Sequence, residues 1–113
     1  METITVKELL AATGGELLQG DAAAKIFGVN TDSRTVKAGE VFLPLVGERF
    51  DGHDYIEKAL SAGAEGCLCA RVPEALLPGK FYIKVADTLL ALKDLAAWYR
   101  ARFTIPFVQV TGS

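Results

Sequence analysis

Three groups of residues in this chain are of types that do chemistry. The first lies at the C-terminal end, where Phe107-Val108-Gln109-Val110 runs into Thr111-Gly112-Ser113. An apolar strand leading to a glycine turn is how a phosphate-binding loop opens. The complete loop, G-x-x-x-x-G-K-[ST], cradles phosphates with backbone N–H groups and reaches the terminal phosphate with its lysine. Here only the first glycine and one residue after it are present. The chain therefore reads as the front of a longer nucleotide-using enzyme, ending before its chemistry begins. By itself, Val-Thr-Gly-Ser is also the ending of an ordinary turn. The second group is Glu48, Asp51, His53 and Asp54. His53 is the only histidine and invites a catalytic reading, but its place beside a helix start suits capping or packing. Capping and solvation account for the three carboxylates. The third group is Cys67 and Cys69, the only cysteines. At strand spacing they share one face, and free cysteine is among the most buried residue types. A metal site would need two further ligands.

These residues need elements to hold them. Thr5 with Glu8 has capping-box spacing and predicts a helix from Val6 to about Ala12, stopped at Gly14-Gly15. Glu16–Gln19 reads as a short strand. Ile26 to Ser33 reads as a strand with a polar end. Val41 to Val46 is continuously apolar, as a covered strand is, and its Pro44 argues for an edge or a strand end. Gly47 to Gly52 is a polar loop. Asp54 with Glu57 predicts a second helix, with Ile56, Ala59 and Leu60 inward and Gly63 as its stop. Strands follow around Cys67 and over Phe81 to Val85. Asp87 caps a long helix, Thr88 to about Arg102, whose Leu89, Leu92, Ala96, Tyr99 and Phe103 form one apolar stripe, with Trp98 off it. A strand ends the chain after Pro106. This order predicts an α/β domain with a mixed sheet.

Composition narrows the class. Of 113 residues, 50% are hydrophobic and 23% charged, enough for a packed core and near the average for soluble domains. Net charge is −2 and no lysine/arginine run exists, so neither a nucleic-acid surface nor a membrane partner is expected. No apolar run approaches the ~20 residues that span a bilayer, and the N-terminus lacks the pattern of a secretory signal. A cytoplasmic protein is the expectation.

The most specific stretch lies between Asn30 and Gly63. Thr31-Asp32-Ser33-Arg34, then Gly39-Glu40-Val41-Phe42, then Gly47-Glu48-Arg49-Phe50-Asp51-Gly52-His53-Asp54 resembles, in wording and order, the N-terminal domain of the Mur ligase family. The helix opening Asp87-Thr88-Leu89-Leu90-Ala91-Leu92 is similar too. Within the family the likeness is to the MurF branch, which adds D-alanyl-D-alanine to UDP-N-acetylmuramoyl-tripeptide. The nearest sibling, MurE, adds the third stem amino acid and typically opens its phosphate loop with Thr-Gly-Thr-Asn; Thr111-Gly112-Ser113 follows the MurF wording.

The resemblance implies a fold and a division of labour. Residues 1–85 would be a small mixed-sheet, UDP-substrate-binding N-terminal domain. Residues 86–113 would be a linker helix and the first strand of a truncated P-loop ATPase domain. In the full-length parent, ATP and Mg²⁺ would activate the peptide carboxylate as an acyl phosphate, and D-alanyl-D-alanine would attack it. The 113-residue chain, without the phosphate-loop lysine, the metal ligands or the dipeptide site, would be inactive, with no catalytic or metal-binding residue of its own. By position in the family, Thr31, Ser33 and Glu48-Arg49-Phe50 would hold the uridine end of UDP-N-acetylmuramoyl-tripeptide, and Thr111, Gly112 and Ser113 would begin the ATP site. The residue types suit this. Thr31 and Ser33, on one face of a strand, offer hydroxyls to the uracil edge; Phe50 can stack on the base; Arg49 can pair with a phosphate or carboxylate. Thr31 and Ser33 also read as a strand simply ending in a turn, and Asp32 and Arg34, on the other face, as structural ion-pair formers. Residues 31–50 hold three basic and three acidic side chains, so part of the diphosphate binding is expected from downstream sequence. A stand-alone α/β binding module without ATP chemistry is the reading from outside the family.

Overall fold

The computed structural model describes residues 2–103. Five short strands form the main sheet, in the order β2 (Glu16–Gln19), β7 (Phe81–Lys84), β6 (Gly66–Cys69), β5 (Glu40–Phe42), β4 (Gly28–Asn30). The four strands from β4 to β7 are parallel neighbours, and β2 joins antiparallel to β7. A separate antiparallel pair, β1 (Ile4–Thr5) and β3 (Lys25–Ile26), sits beside it. The mixed α/β architecture expected from the sequence is the one observed.

Alternation along the strands builds two cores. In β6, Leu68 faces one side while Cys67 and Cys69 face the other; in β7, Phe81 and Ile83 oppose Tyr82; in β5, Val41 opposes Phe42. One face packs on helices α1 (Val6–Thr13) and α3 (Thr88–Phe103), burying Leu9, Ala91 and Leu95. The other packs on α2 (Ile56–Ser61), burying Ile56, Ala59 and Leu60. A parallel sheet covered on both faces requires near-continuous apolar strands, which is why Gly66–Cys69 is buried at every position.

The helices start as their caps dictate. The Thr5 hydroxyl accepts from Glu8 N–H at 3.1 Å and the Glu8 carboxylate accepts from Thr5 N–H at 2.9 Å, a complete capping box. Gly14 ends α1 at φ 70°, where only glycine sits without strain. Asp87 Oδ1 accepts from Leu89 and Leu90 N–H at 2.8 and 3.1 Å at the start of α3. An ion pair of 2.6 Å between Arg102 and Glu8 ties the far end of α3 back to α1.

Four expectations need correction. The strand read over Ile26–Ser33 is two pieces, β3 and β4, and ends at Asn30; Thr31 to Thr35 is a bend and turn. The Val41 run is a strand only to Phe42; Leu43 N–H still reaches Asn30 O at 3.0 Å, and Pro44, having no N–H, stops the ladder. Pro44 thus marks a strand end and not an edge, since β5 is interior. The second helix does not start at an Asp54 cap: Asp51 caps a 3₁₀ turn over Gly52–Tyr55, and α2 follows from Ile56 with no side-chain cap of its own. In α3 the buried positions are Thr88, Ala91 and Leu95, while Leu89 is 50% exposed. The apolar residues at 89–92 surround the helix, so their spacing did not fix its phase. Trp98, read as off the stripe, packs against the core together with Leu92 and Phe103. The strand read after Pro106 and the phosphate-loop opening at Thr111–Ser113 lie outside the described residues.

Candidate functional site

Two turns leave the sheet next to each other, one after β4 and one after β5. The first is folded over by its own side chains. Asn30 Oδ1 accepts from Asp32 N–H at 2.8 Å, and Asp32 Oδ1 accepts from Arg34 N–H at 2.8 Å. Such Asx contacts offer the backbone an alternative to the ladder. The Asn30 amide also donates to Glu40 Oε1 at 3.2 Å, tying the turn to β5. The Arg34 guanidinium then clamps Asp32 with two bonds of 3.0 Å, from Nε and Nη2. That hydrogen bonding holds the Asp32 carboxyl below its ordinary value and raises Arg34 above its own.

The second turn carries the Gly47–Gly52 loop. Gly47 N–H donates to Phe50 O and Gly52 N–H to Leu45 O, both at 2.8 Å, closing the loop at its neck. Asp51 then caps the 3₁₀ turn, accepting from His53 N–H at 2.9 Å. The His53 side chain is 3% exposed and its ring fully engaged. Its Nδ1 lies 2.6 Å from Asp51 Oδ1, and its Nε2 accepts from the backbone N–H groups of Ala70 and Arg71 at 2.9 and 3.3 Å. Because Nε2 accepts from N–H donors, the ring proton belongs on Nδ1, pointing at Asp51. Arg71 closes the circuit with Nη2 at 3.0 Å from Asp51 and 3.3 Å from Asp54. The His53 backbone N–H, aided by the His53 ring and Arg71, lowers the Asp51 carboxyl to about 2 against the cost of burial. His53 is thus a packing and latching residue, in keeping with the capping or packing reading of its position.

Between the two turns lies a cavity of about 520 Å³. Thr31 and Ser33 line it from the first turn and Phe50 from the second, so three of the five residues proposed for the uridine end come together. Thr31 and Ser33 meet there as turn neighbours, not as alternate positions of a strand. Glu48 and Arg49 are exposed on the loop and are not among the lining residues. Asp32, Arg34, Phe42, Gly52, Tyr55 and Lys58 complete the lining. Tyr55 and Lys58 lie outside the inward stripe Ile56, Ala59 and Leu60 that the sequence pattern picks out, Tyr55 at the end of the 3₁₀ turn and Lys58 on the exposed side of α2. Phe50 and Tyr55 stand 58% and 45% exposed, two aromatic faces with no core role. Gly52 has no room for a side chain: a Cβ there would lie 2.8 Å from Leu45 O.

Cys67 and Cys69 are free and buried on the α2 side. The neighbouring Cys69 sulfur, together with burial, pushes the Cys67 thiol far above its ordinary value. No group of three metal-ligating side chains occurs among the described residues, and no described helix is long and apolar enough to cross a membrane.

The family described as "Mur ligase family, catalytic domain" matches residues 25–100, a span containing both turns and the cavity. The chain belongs to the Mur ligase family. A UDP-N-acetylmuramoyl-tripeptide–D-alanyl-D-alanine ligase from Synechocystis is 45% identical over 89 residues, covering 79% of this chain and 20% of its own length. The corresponding Escherichia coli enzyme is 37% identical over 113 residues, 100% of this chain and 24% of its own. A UDP-N-acetylmuramoyl-L-alanyl-D-glutamate–2,6-diaminopimelate ligase from Phocaeicola vulgatus is 38% identical over 112 residues, covering 97% and 21%. A MurF crystal structure from Acinetobacter baumannii superposes with a TM-score of 0.82 at 32% identity, over 92% of this chain and 22% of that one. A MurF ligase from Thermotoga maritima, solved with ADP, matches with a TM-score of 0.59 at 31% identity over 66% of this chain and 17% of its own. This chain thus spans roughly a fifth to a quarter of the Mur ligases it matches, and both branch names occur among them.

Proposed function

We propose that this chain is the part of an ATP-dependent Mur ligase that anchors the uridine end of its UDP-sugar-peptide substrate, in the synthesis of peptidoglycan precursors. The observation that carries this reading is the cavity between the two turns, which Thr31, Ser33 and Phe50 line together. Hydroxyls donate and accept, which suits a base edge bearing both functions, and a flat ring supports a flat base. Glu48 and Arg49, on the same loop outside the lining, would act at the rim.

Within the family we assign the parent enzyme to the MurF branch, with D-alanyl-D-alanine as the incoming partner and ATP and Mg²⁺ as cofactors. The Gly47-Glu48-Arg49-Phe50 and Thr111-Gly112-Ser113 wordings support this branch. The MurE branch is the second reading, favoured by a diaminopimelate ligase that matches 97% of this chain at 38% identity, against 100% at 37% for a D-alanyl-D-alanine ligase. Residues 1–85 would form the anchoring unit, and residues 86–113 would lead to the ATPase domain, starting its phosphate loop at Thr111, Gly112 and Ser113. The chain alone would have no ligase activity.

Backbone amide shifts of the isotope-labelled chain test the anchoring role. Titration with UDP-N-acetylmuramoyl-tripeptide should give saturable shifts at Thr31, Ser33 and Phe50, reproduced by UDP alone. Shifts confined to other regions would overturn the site. Ligase assays on the full-length parent distinguish the branches: release of phosphate with D-alanyl-D-alanine and the tripeptide substrate means MurF, and release with diaminopimelate or lysine and the dipeptide substrate means MurE.

A further inference from the structure

A uridine diphosphate brings negative charge as well as a base, and two cations line the cavity, Arg34 and Lys58. They are not equivalent. Arg34 is already committed: Nε and Nη2 each bond an Asp32 carboxylate oxygen at 3.0 Å, so its charge is matched by a neighbour. Lys58 has no carboxylate within 4 Å among the described residues. The acidic residues nearest it in sequence are turned elsewhere. Asp54 is bonded by Arg71, and both Asp54 and Glu57 line a different cavity, on the His53 side. Lys58 therefore brings an uncompensated positive charge to the site.

Its position also fits. Lys58, in α2, follows Tyr55, the last residue of the 3₁₀ turn, by three positions, and both line the cavity. Phe50, Tyr55 and Lys58 thus share one cavity, and a long, flexible lysine stem beside the two rings leaves its ammonium free to meet the phosphates of a nucleotide bound there. Arg49, the cation that the sequence offered for this role, does not line the cavity.

We propose that Lys58 is the residue by which this cavity distinguishes a uridine diphosphate from uridine, its ammonium meeting the diphosphate. This rests on the uridine-anchoring reading. A charge-assisted contact of this kind typically changes affinity about tenfold or more.

The test is a pair of titrations, uridine and UDP, on the chain and on its Lys58→Gln, Lys58→Arg and Lys93→Gln variants, Lys93 being an exposed cation of α3 that does not line the cavity. Lys58 is exposed, and all three variants should fold. The expected result is that Lys58→Gln weakens UDP binding about tenfold and leaves uridine unchanged, that Lys58→Arg restores most of the loss, and that Lys93→Gln changes the UDP-to-uridine ratio little. The UDP affinity of the unaltered chain should also fall with added salt more steeply than that of Lys58→Gln. If Lys58→Gln leaves UDP unchanged while both ligands still shift Thr31, Ser33 and Phe50, the assignment is wrong and the anchoring reading stands. If Lys58→Gln weakens uridine and UDP alike, Lys58 shapes the cavity and does not read phosphate, which also overturns the assignment. If neither ligand binds the unaltered chain at that cavity, the anchoring reading fails, and the role of Lys58 fails with it.

Discussion

The two walls of the cavity are built on opposite principles. The Asn30–Arg34 wall is held by bonds between residues close in sequence, most of them two to five positions apart, on an exposed surface. The Asp51–Tyr55 wall is held by bonds reaching 17 to 20 positions along the chain, through a buried imidazole to the backbone after β6. Local bonds shape a turn but tie it to little else; distant ones tie it to the core. The first wall can therefore adjust to a ligand at small cost, while the second serves as the fixed reference against which it adjusts.

The largest break in that contrast is His53→Ala. It leaves the Ala70 and Arg71 N–H groups without their acceptor, removes a partner of Asp51 and opens a void. We expect a loss of about 3 kcal/mol in urea unfolding, with amide shifts spreading to Phe50 and to the residues after β6. A loss confined to the surface range would mean that the second wall is as local as the first.

Acid provides the next test. Asp51 has a folded-state value of about 2, below its ordinary 3.8. A depressed carboxylate contributes fully above the unfolded value and loses that contribution as pH falls through the folded one. Its side chain is 33% exposed, so solvent screening reduces the contribution to about 1 kcal/mol at neutral pH. The stability gap between the chain and Asp51→Asn should be constant from pH 7 to pH 5 and close between pH 4 and pH 2. A gap that ignores pH over that interval would assign Asp51 a packing role alone.

The smallest effect should come from Asn30→Ala, about 0.5 kcal/mol, since the bonds it loses are partly exposed. Its shifts should stay within residues 30–40. Propagation of those shifts to His53 would show that the two walls are coupled.

The same distinction explains what the sequence made legible. Thr5 with Glu8, and the alternation of Cys67, Leu68 and Cys69, are patterns in which local preference and burial agree, and both were readable. Thr31 and Ser33 could be named as site residues, but not their geometry: the Asn30 and Asp32 side chains compete for the backbone and win over the ladder, and a strand pattern carries no sign of that competition. The phase of α3 was hidden because Leu89, Leu90, Ala91 and Leu92 are apolar around the whole helix, and the choice falls to the fit of Ala91 and Leu95 against the core. The Asp51 cap was obscured by Asp54, an equally good cap in composition. Only the imidazole bridging from Asp51 to Ala70 and Arg71, just after β6, separates them, and that contact is long-range.

The two sulfurs packed under α2 have a use that their burial creates. A thiol reagent in solution cannot meet Cys67 or Cys69 while the central strand is covered, so modification must wait for an opening that lifts the helix from the sheet. The chain thus carries its own clock for that event: the rate at which its thiols disappear would time how often the middle of the sheet is laid bare.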